Sequence, residues 1–217
     1  MCSIIKRIID LILAILVVVL ASPLLLLIAL AIKLGSPGPV LYRQGRLGKN
    51  AEEFEMVKFR TMVEGAEKMD EGLFNYADDP RVTKVGNLLR NTSLDELGQL
   101  LNILKGDMSI VGPRPPVSYE LGDVSNFDKR TMKRFAVKPG ITGLAQVSGR
   151  NALSWDEKIE FDNQYVDDWR RLGVLADIPI LFRTLFIVFS NTGAHEDHSN
   201  REQDAARQNR QSRIEDE

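Results

Sequence analysis

The chain has 217 residues, enough for one well-buried domain and too few for two of ordinary size. With 44% hydrophobic residues, 27% charged residues and a net charge of −2, its composition is that of a globular protein rather than a disordered or fibrous one. Cys2 is the single cysteine, which excludes an intramolecular disulfide and a cysteine metal cluster and fits a reducing, cytoplasmic setting.

The first element is the most distinctive. Leu11 to Ile32 carries no charge, and only Ser22 and Pro23 interrupt its aliphatic run. A stretch of about 20 apolar residues is what a bilayer requires. No small-residue cleavage site follows it, so it reads as a retained membrane element rather than a signal peptide. Pro23 cannot donate a backbone hydrogen bond, and Ser22 can help to satisfy the groups this frees. Lys6 and Arg7 precede the segment and Lys33, Arg43 and Arg46 follow it. The positive-inside tendency therefore places both ends in the cytoplasm. The expectation is a re-entrant helix, residues 1–34, broken at Ser22-Pro23.

Six basic residues against one acid in residues 1–50 also suit an anionic cytoplasmic leaflet. Past the turn SPGP (36–39), VLYRQGRLG and FEMVKF read as two short strands joined by a polar loop. A charged helix is expected over TMVEGAEKMD (61–70), and VTKVGNLLR (82–90) has helical spacing. SLDELGQLLNILKGD (93–107) reads as a compact helix capped by Gly106. IVGPRPP is irregular, and KPGITGLAQVSGRN (138–151) resembles a binding loop more than a core element. Ser154-Trp155-Asp156-Glu157 has capping-box form and starts a helix to about Arg170. Leu175, Ile178, Leu181, Phe182, Leu185, Phe186 and Phe189 share one face of a helix too short to span, which is either core or interfacial. The polar, charged residues beyond Asn191 read as a disordered tail, and there is no internal repeat.

Asp95 and Glu96 stand side by side in SLDE, another capping-box pattern with Ser93 as N-cap and Glu96 reaching back. Helix capping alone would account for both acids. Their surroundings favour chemistry as well. A helix N-terminus attracts phosphate, Arg90 lies just upstream, and Arg114 is framed by Pro113, Pro115 and Pro116. Rigidly held arginines suit bidentate phosphate recognition, and Arg150 lies in the glycine-rich stretch. Beside a polyanion, a carboxylate pair can hold a divalent cation, leaving one acid free as a nucleophile.

Over nearly its whole length the chain resembles the monotopic phosphoglycosyl transferases, the bacterial sugar transferase family. The resemblance is carried by the basic-flanked helix with Ser22-Pro23, LYRQGRLGKN, KFRTM (58–62), SLDELGQLLNILKGDMSIVGPRP (93–115), KPGITGLAQVSGRN, and the Trp155, Asp162, Tyr165 spacing. It implies an α-rich α/β fold: the re-entrant helix (1–34), a small cytoplasmic catalytic domain (35–192) with interfacial amphipathic helices, and a polar tail (193–217). It also implies transfer of a phospho-sugar from a UDP-sugar to polyprenol (undecaprenyl) phosphate, with release of UMP, at the cytoplasmic face of a bacterial inner membrane. By motif, Asp95 matches the nucleophile that forms a covalent aspartyl-phosphosugar, and Glu96 its Mg²⁺-associated partner. Arg90 and Arg114 match positions near the phosphate. Lys58, Gln146, Arg150 and Asp162 match substrate-binding motif positions, although Lys58 and Asp162 would equally serve in structural ion pairs. Expected partners are the two substrates, membrane lipid and downstream glycosyltransferases, with no nucleic acid. Gly98 stands where the family commonly has Pro, and Lys138 where Arg is common. The chain reads as a short-form member. A phosphohydrolase using water as acceptor, and a catalytically idle membrane scaffold, are the competing readings; loss of turnover in Asp95→Asn would exclude the scaffold.

Overall fold

The computed structural model describes residues 2–66, 69, 79–149 and 152–190. Helix α1 (Cys2–Gly35) is a single 34-residue helix that runs through Pro23. Pro23 lacks the N–H that would bond the Val19 carbonyl, and the Ser22 hydroxyl donates to that oxygen instead, at 2.8 Å. The proline is thus absorbed without leaving an orphaned acceptor in an apolar setting.

Strands β1 (Leu41–Leu47) and β2 (Glu53–Phe59) form the expected antiparallel hairpin, with Leu41 opposite Phe59 and Leu47 opposite Glu53. Where a helix over 61–70 was expected, Met62 instead pairs with Val82 in an isolated antiparallel bridge, and Gly65 turns the chain at φ +78°. Val63 N–H bonds the Arg81 carbonyl, so extended pairing supplies the partners that a helix would have supplied. The remaining part of that stretch lies largely outside the described residues.

Helix α2 (Lys84–Asn91) is capped by Thr83, whose side chain accepts from Gly86 N–H. A 3₁₀ segment, Leu94–Gln99, leads into α3 (Leu100–Lys105), which ends on Gly106 at φ +107° as expected for a left-handed cap. Next come β3 (Ser109–Val111), α4 (Lys129–Lys133), β4 (Gly140–Thr142) and α5 (Leu144–Ser148). The expected binding loop over 138–149 is therefore a strand and a short helix. Strand β4 pairs in parallel with β3, Ser109 with Gly140 and Val111 with Thr142. Side chains are excluded there by contact, since a Cβ on Gly140 would stand 2.1 Å from Gly112 N. Helix α6 (Trp155–Leu172) carries the complete capping box of Ser154 and Glu157, and α7 (Asp177–Ser190) closes the described chain.

Two patches of the core are built against α1. Ala14 and Val18 pack with Met56, Leu100, Ile103 and Met108. Leu25, Ile28 and Ile32 pack with Phe59 and Leu89. Residues 19–24 belong to neither cluster, and Leu20 is 72% exposed. Polar contacts fix both ends of α1 to the same domain. Lys6 pairs with Asp177, and Arg7 donates to the Ile103 and Leu104 carbonyls at the end of α3. Asp10 accepts from Ile110 N–H, while Arg60 donates to the Ser36 carbonyl beyond the other end. Ala176, just before α7, and Ile180 on it face the core beside Tyr165. Ile178, Phe182, Leu185 and Phe186 are exposed, so the apolar face expected there is turned outward.

Candidate active site

Each carboxylate of the pair is placed by the way the 3₁₀ segment lies on β2. Gly98 makes that approach possible: a Cβ there would lie 2.9 Å from the Lys58 backbone. Asp95 and Glu96 are thereby set beside the Lys58 side chain, which projects from β2. Lys58 Nζ lies 3.4 Å from Glu96 Oε1 and 3.8 Å from Asp95 Oδ2. Arg114 Nη1 closes on the same Glu96 oxygen at 3.0 Å. Arg90 faces the pair from the last turn of α2, its Nε bonded to Thr61 Oγ1 at 2.9 Å.

The capping box anticipated at Ser93 is absent. Ser93 adopts a left-handed conformation, φ +55°, and its side chain makes no cap bond. A capping serine needs extended backbone to aim its oxygen at the N3 N–H. Glu96 is also drawn the other way, by two cations whose charge-assisted bonds are stronger than a neutral cap. Both acids are therefore left for the site.

Their environments differ. Burial pushes the Asp95 carboxyl above the ordinary range, with the Lys58 ammonium only partly opposing it. Burial acts upward on Glu96 too, but Arg114 and Lys58 outweigh it and bring its carboxyl down to about 2. Burial lowers the Lys58 ammonium and the Arg90 guanidinium, against the neighbouring carboxylates Glu96 and Asp95 respectively. Glu96 is the charge-compensated member, and Asp95 is the less satisfied one. Asp95 lies in a 3₁₀ segment, where burial dominates its carboxyl. Arg114 remains 43% exposed at its side chain, so the cluster opens toward solvent on that side.

Of the other sequence candidates, Gln146 lies on α5, donating to the Ile141 carbonyl at 3.2 Å while its buried Oε1 has no partner among the described residues. Asp162 is 1% exposed and paired with Arg134 at 2.7 Å. At that burial it presents no surface for direct contact with a ligand. Arg150 lies outside the described residues. Sequence reading missed Arg134 and Arg46, since no local pattern marks a basic residue that will be buried. Arg46 Nη1 donates to the Pro115 carbonyl at 3.1 Å, and burial, reinforced by nearby Arg114, lowers it to about 10.

The donor set can be tested against Mg²⁺. Among the described residues no three His, Cys, Asp or Glu side chains cluster. Two adjacent carboxylates completed by substrate phosphates are, however, the ordinary magnesium arrangement, so the residues fit an ion that arrives with a diphosphate.

A membrane-associated α/β protein with a carboxylate pair ringed by Lys58, Arg90 and Arg114 is the class that this fold and site define. The chain belongs to the bacterial sugar transferase family, whose model matches residues 1–191. It is 40% identical over 204 residues to the exopolysaccharide production protein ExoY of Sinorhizobium fredii, covering 88% of each chain. It is 44% identical over 197 residues to the UDP-glucose:undecaprenyl-phosphate glucose-1-phosphate transferase of Escherichia coli, covering 88% of this chain and 41% of that one. The undecaprenyl-phosphate galactose phosphotransferase of Salmonella typhimurium is 39% identical over 208 residues, again 88% of this chain and 41% of the relative.

Proposed function

We propose that this protein transfers a phospho-sugar from a UDP-sugar to polyprenol phosphate, with Asp95 as nucleophile. The observation that carries the assignment is the unequal partnering of the two acids. Glu96 is held by both Arg114 and Lys58, whereas Asp95 is met only by Lys58, at 3.8 Å, among the described residues. The names of the relatives support the reaction class, since two of them act on undecaprenyl phosphate.

Lys58, Arg90 and Arg114 bring positive charge beside two carboxylates, a setting that favours a diphosphate. An Asp95 carboxylate oxygen attacks the sugar-proximal phosphorus. The phosphoanhydride bond breaks, its electron pair leaves with UMP, and an acyl phosphate joins Asp95 to the phospho-sugar. A polyprenol phosphate oxygen then attacks the same phosphorus, and the Asp95 carboxylate departs as leaving group, regenerated. The product is a polyprenyl-diphosphate-linked sugar. Arg90 and Arg114 hold the equatorial oxygens, on which charge is concentrated during each displacement. Glu96 would hold Mg²⁺, which when bound would neutralise diphosphate charge and leave Asp95 free to attack.

The membrane helix brings the lipid phosphate to this site. At 1.5 Å per residue, a straight helix of α1's length would be about 50 Å long, more than the ~30 Å hydrocarbon core. Both ends of α1 are nevertheless bonded to one polar domain, while residues 19–24 pack against neither cluster. A bend at Ser22-Pro23 dipping into one leaflet satisfies both facts; a span would put parts of a single domain on opposite sides. The exposed apolar residues of α7 lie in the same interface. The catalytic domain then sits on the cytoplasmic face of a bacterial inner membrane.

UMP release measured over a panel of UDP-sugars, with undecaprenyl phosphate in detergent, tests the reading. Turnover should require both substrates and vanish in Asp95→Asn; release of free sugar phosphate without the lipid would favour hydrolysis instead.

A further inference from the structure

Pro113, Arg114, Pro115 and Pro116 form a segment in which three of four residues have no N–H to donate. It cannot fold on itself, and outside donors hold it by its carbonyls. Gly140 N–H takes Pro113, Leu47 N–H takes Pro116, and the Arg46 guanidinium takes Pro115. The fourth carbonyl, that of Arg114, accepts from Arg134 Nη2 at 2.8 Å.

Arg134 is an unusual donor for this purpose. It is 1% exposed and bonded to Asp162 Oδ2 through Nε at 2.9 Å and Nη2 at 2.7 Å. Its guanidinium lies against the Phe135 and Trp155 rings, 5.2 and 5.3 Å from their centroids. Arg134 Nη1 and Asp162 Oδ1 have no hydrogen-bond partner among the described residues. A buried ion pair with unmet atoms is a poor source of stability, since well-packed apolar side chains commonly serve as well. Its distinctive product is a fixed position: the guanidinium cannot rotate away from the Arg114 carbonyl without leaving Asp162 buried and alone.

We propose that Arg134, locked by Asp162, is a positioning residue for the transfer, fixing the Arg114 backbone so that the Arg114 guanidinium meets Glu96 beside Asp95. Four atoms in series connect the two sites: Asp162 Oδ2, Arg134 Nη2, the Arg114 carbonyl oxygen, and Arg114 Nη1 on Glu96. This role presupposes the phosphoryl transfer at Asp95 proposed above. It also explains why Asp162 shares a motif with Trp155 and Tyr165 while standing clear of the carboxylates.

The test is a double-mutant cycle on kcat/KM. Arg134→Lys keeps a charge for Asp162 but loses the planar fork that reaches both partners. It should lower kcat/KM about 10- to 100-fold in the wild-type background, the scale of an ångström's misplacement. In an Arg114→Ala background the same substitution should change kcat/KM by no more than about twofold, because the group it positions is gone. Asp162→Asn, which loosens Arg134 without removing it, should show the same background dependence if Arg134→Lys does not fold. Equal fold-losses in both backgrounds, for either substitution, would show a general structural role and overturn the proposal. Asp95→Asn measured alongside separates the two ideas: retained turnover there refutes the nucleophile assignment, whereas lost turnover with a multiplicative cycle refutes the positioning role alone.

Discussion

Gly86→Ala should damage both stability and turnover, although alanine is the better helix former. Gly86 sits inside α2, and a Cβ built on it would meet the Thr61 carbonyl oxygen at 1.8 Å and its carbon at 2.6 Å. Ordinary contact begins near 3.4 Å, so α2 would have to move outward by about 1.5 Å against backbone, which cannot swing aside as a side chain can. Propensity favours alanine by about 1 kcal/mol. Overpacking costs about 1–3 kcal/mol and lies at the upper end where the neighbour is main chain. The net loss is about 2 kcal/mol, or roughly 4–8 °C in melting temperature for a domain of this size. Thr61 also bonds Thr83 N–H through its carbonyl and Arg90 through its hydroxyl. The displacement would therefore draw Arg90 from Asp95 and cut kcat/KM by about 10²-fold. Thermal unfolding in detergent and UMP release, measured on the same preparation, provide the check. A melting temperature equal to or above wild type, with wild-type turnover, would refute the reasoning.

Other outcomes follow from the same structure. Glu96→Gln should reduce turnover about 10- to 100-fold and raise the Mg²⁺ concentration needed for half-maximal rate; an unchanged magnesium titration would remove Glu96 from the metal. Asp79 and Arg81 form a buried pair at 2.7 Å, and the side-chain bond from Arg81 holds the Asp79 carboxyl below its ordinary value. A depressed carboxyl contributes stability above its unfolded pKa and loses it as pH falls through the folded one. Asp79→Asn should accordingly cost about 3–5 kcal/mol at neutral pH, and urea titrations should show the gap narrowing below the ordinary carboxylate range. A gap independent of pH would contradict the ion-pair account. Cysteines placed at Ser3 and Ser36 should be labelled from the same side of the membrane in the wild type, and Pro23→Leu should weaken that pattern by straightening α1. Opposite-side labelling in the wild type would exclude re-entrance.

Local chemistry made part of this fold legible in advance. Two short strand-like stretches around a polar loop marked the β1–β2 hairpin, Ser154 and Glu157 marked the start of α6, and Gly106 marked the end of α3. Each signal lies within a few residues of its consequence. The β3–β4 pair was not legible, because three-residue strands joined in parallel across 28 intervening residues leave no periodicity and their partners are distant. Capping logic failed at Ser93 for a related reason. The pattern allowed a cap, but Lys58 and Arg114, 35 residues before and 21 residues after Ser93, bid for the same glutamate. At the site, Lys58 and Arg114 close on the Asp95–Glu96 pair, and Arg90 is tied to Thr61 nearby. Arg134 escaped notice, since nothing in KRFAV distinguishes an exposed arginine from one sealed against Trp155 and Asp162.

The most direct test of the central claim is mass spectrometry of the protein incubated with a UDP-sugar and Mg²⁺ in the absence of lipid acceptor. The account predicts a phospho-sugar adduct on the peptide containing Asp95, absent in Asp95→Asn and discharged when polyprenol phosphate is added. An unmodified Asp95 peptide under conditions where the complete mixture releases UMP, or an adduct that forms equally in Asp95→Asn, would contradict it.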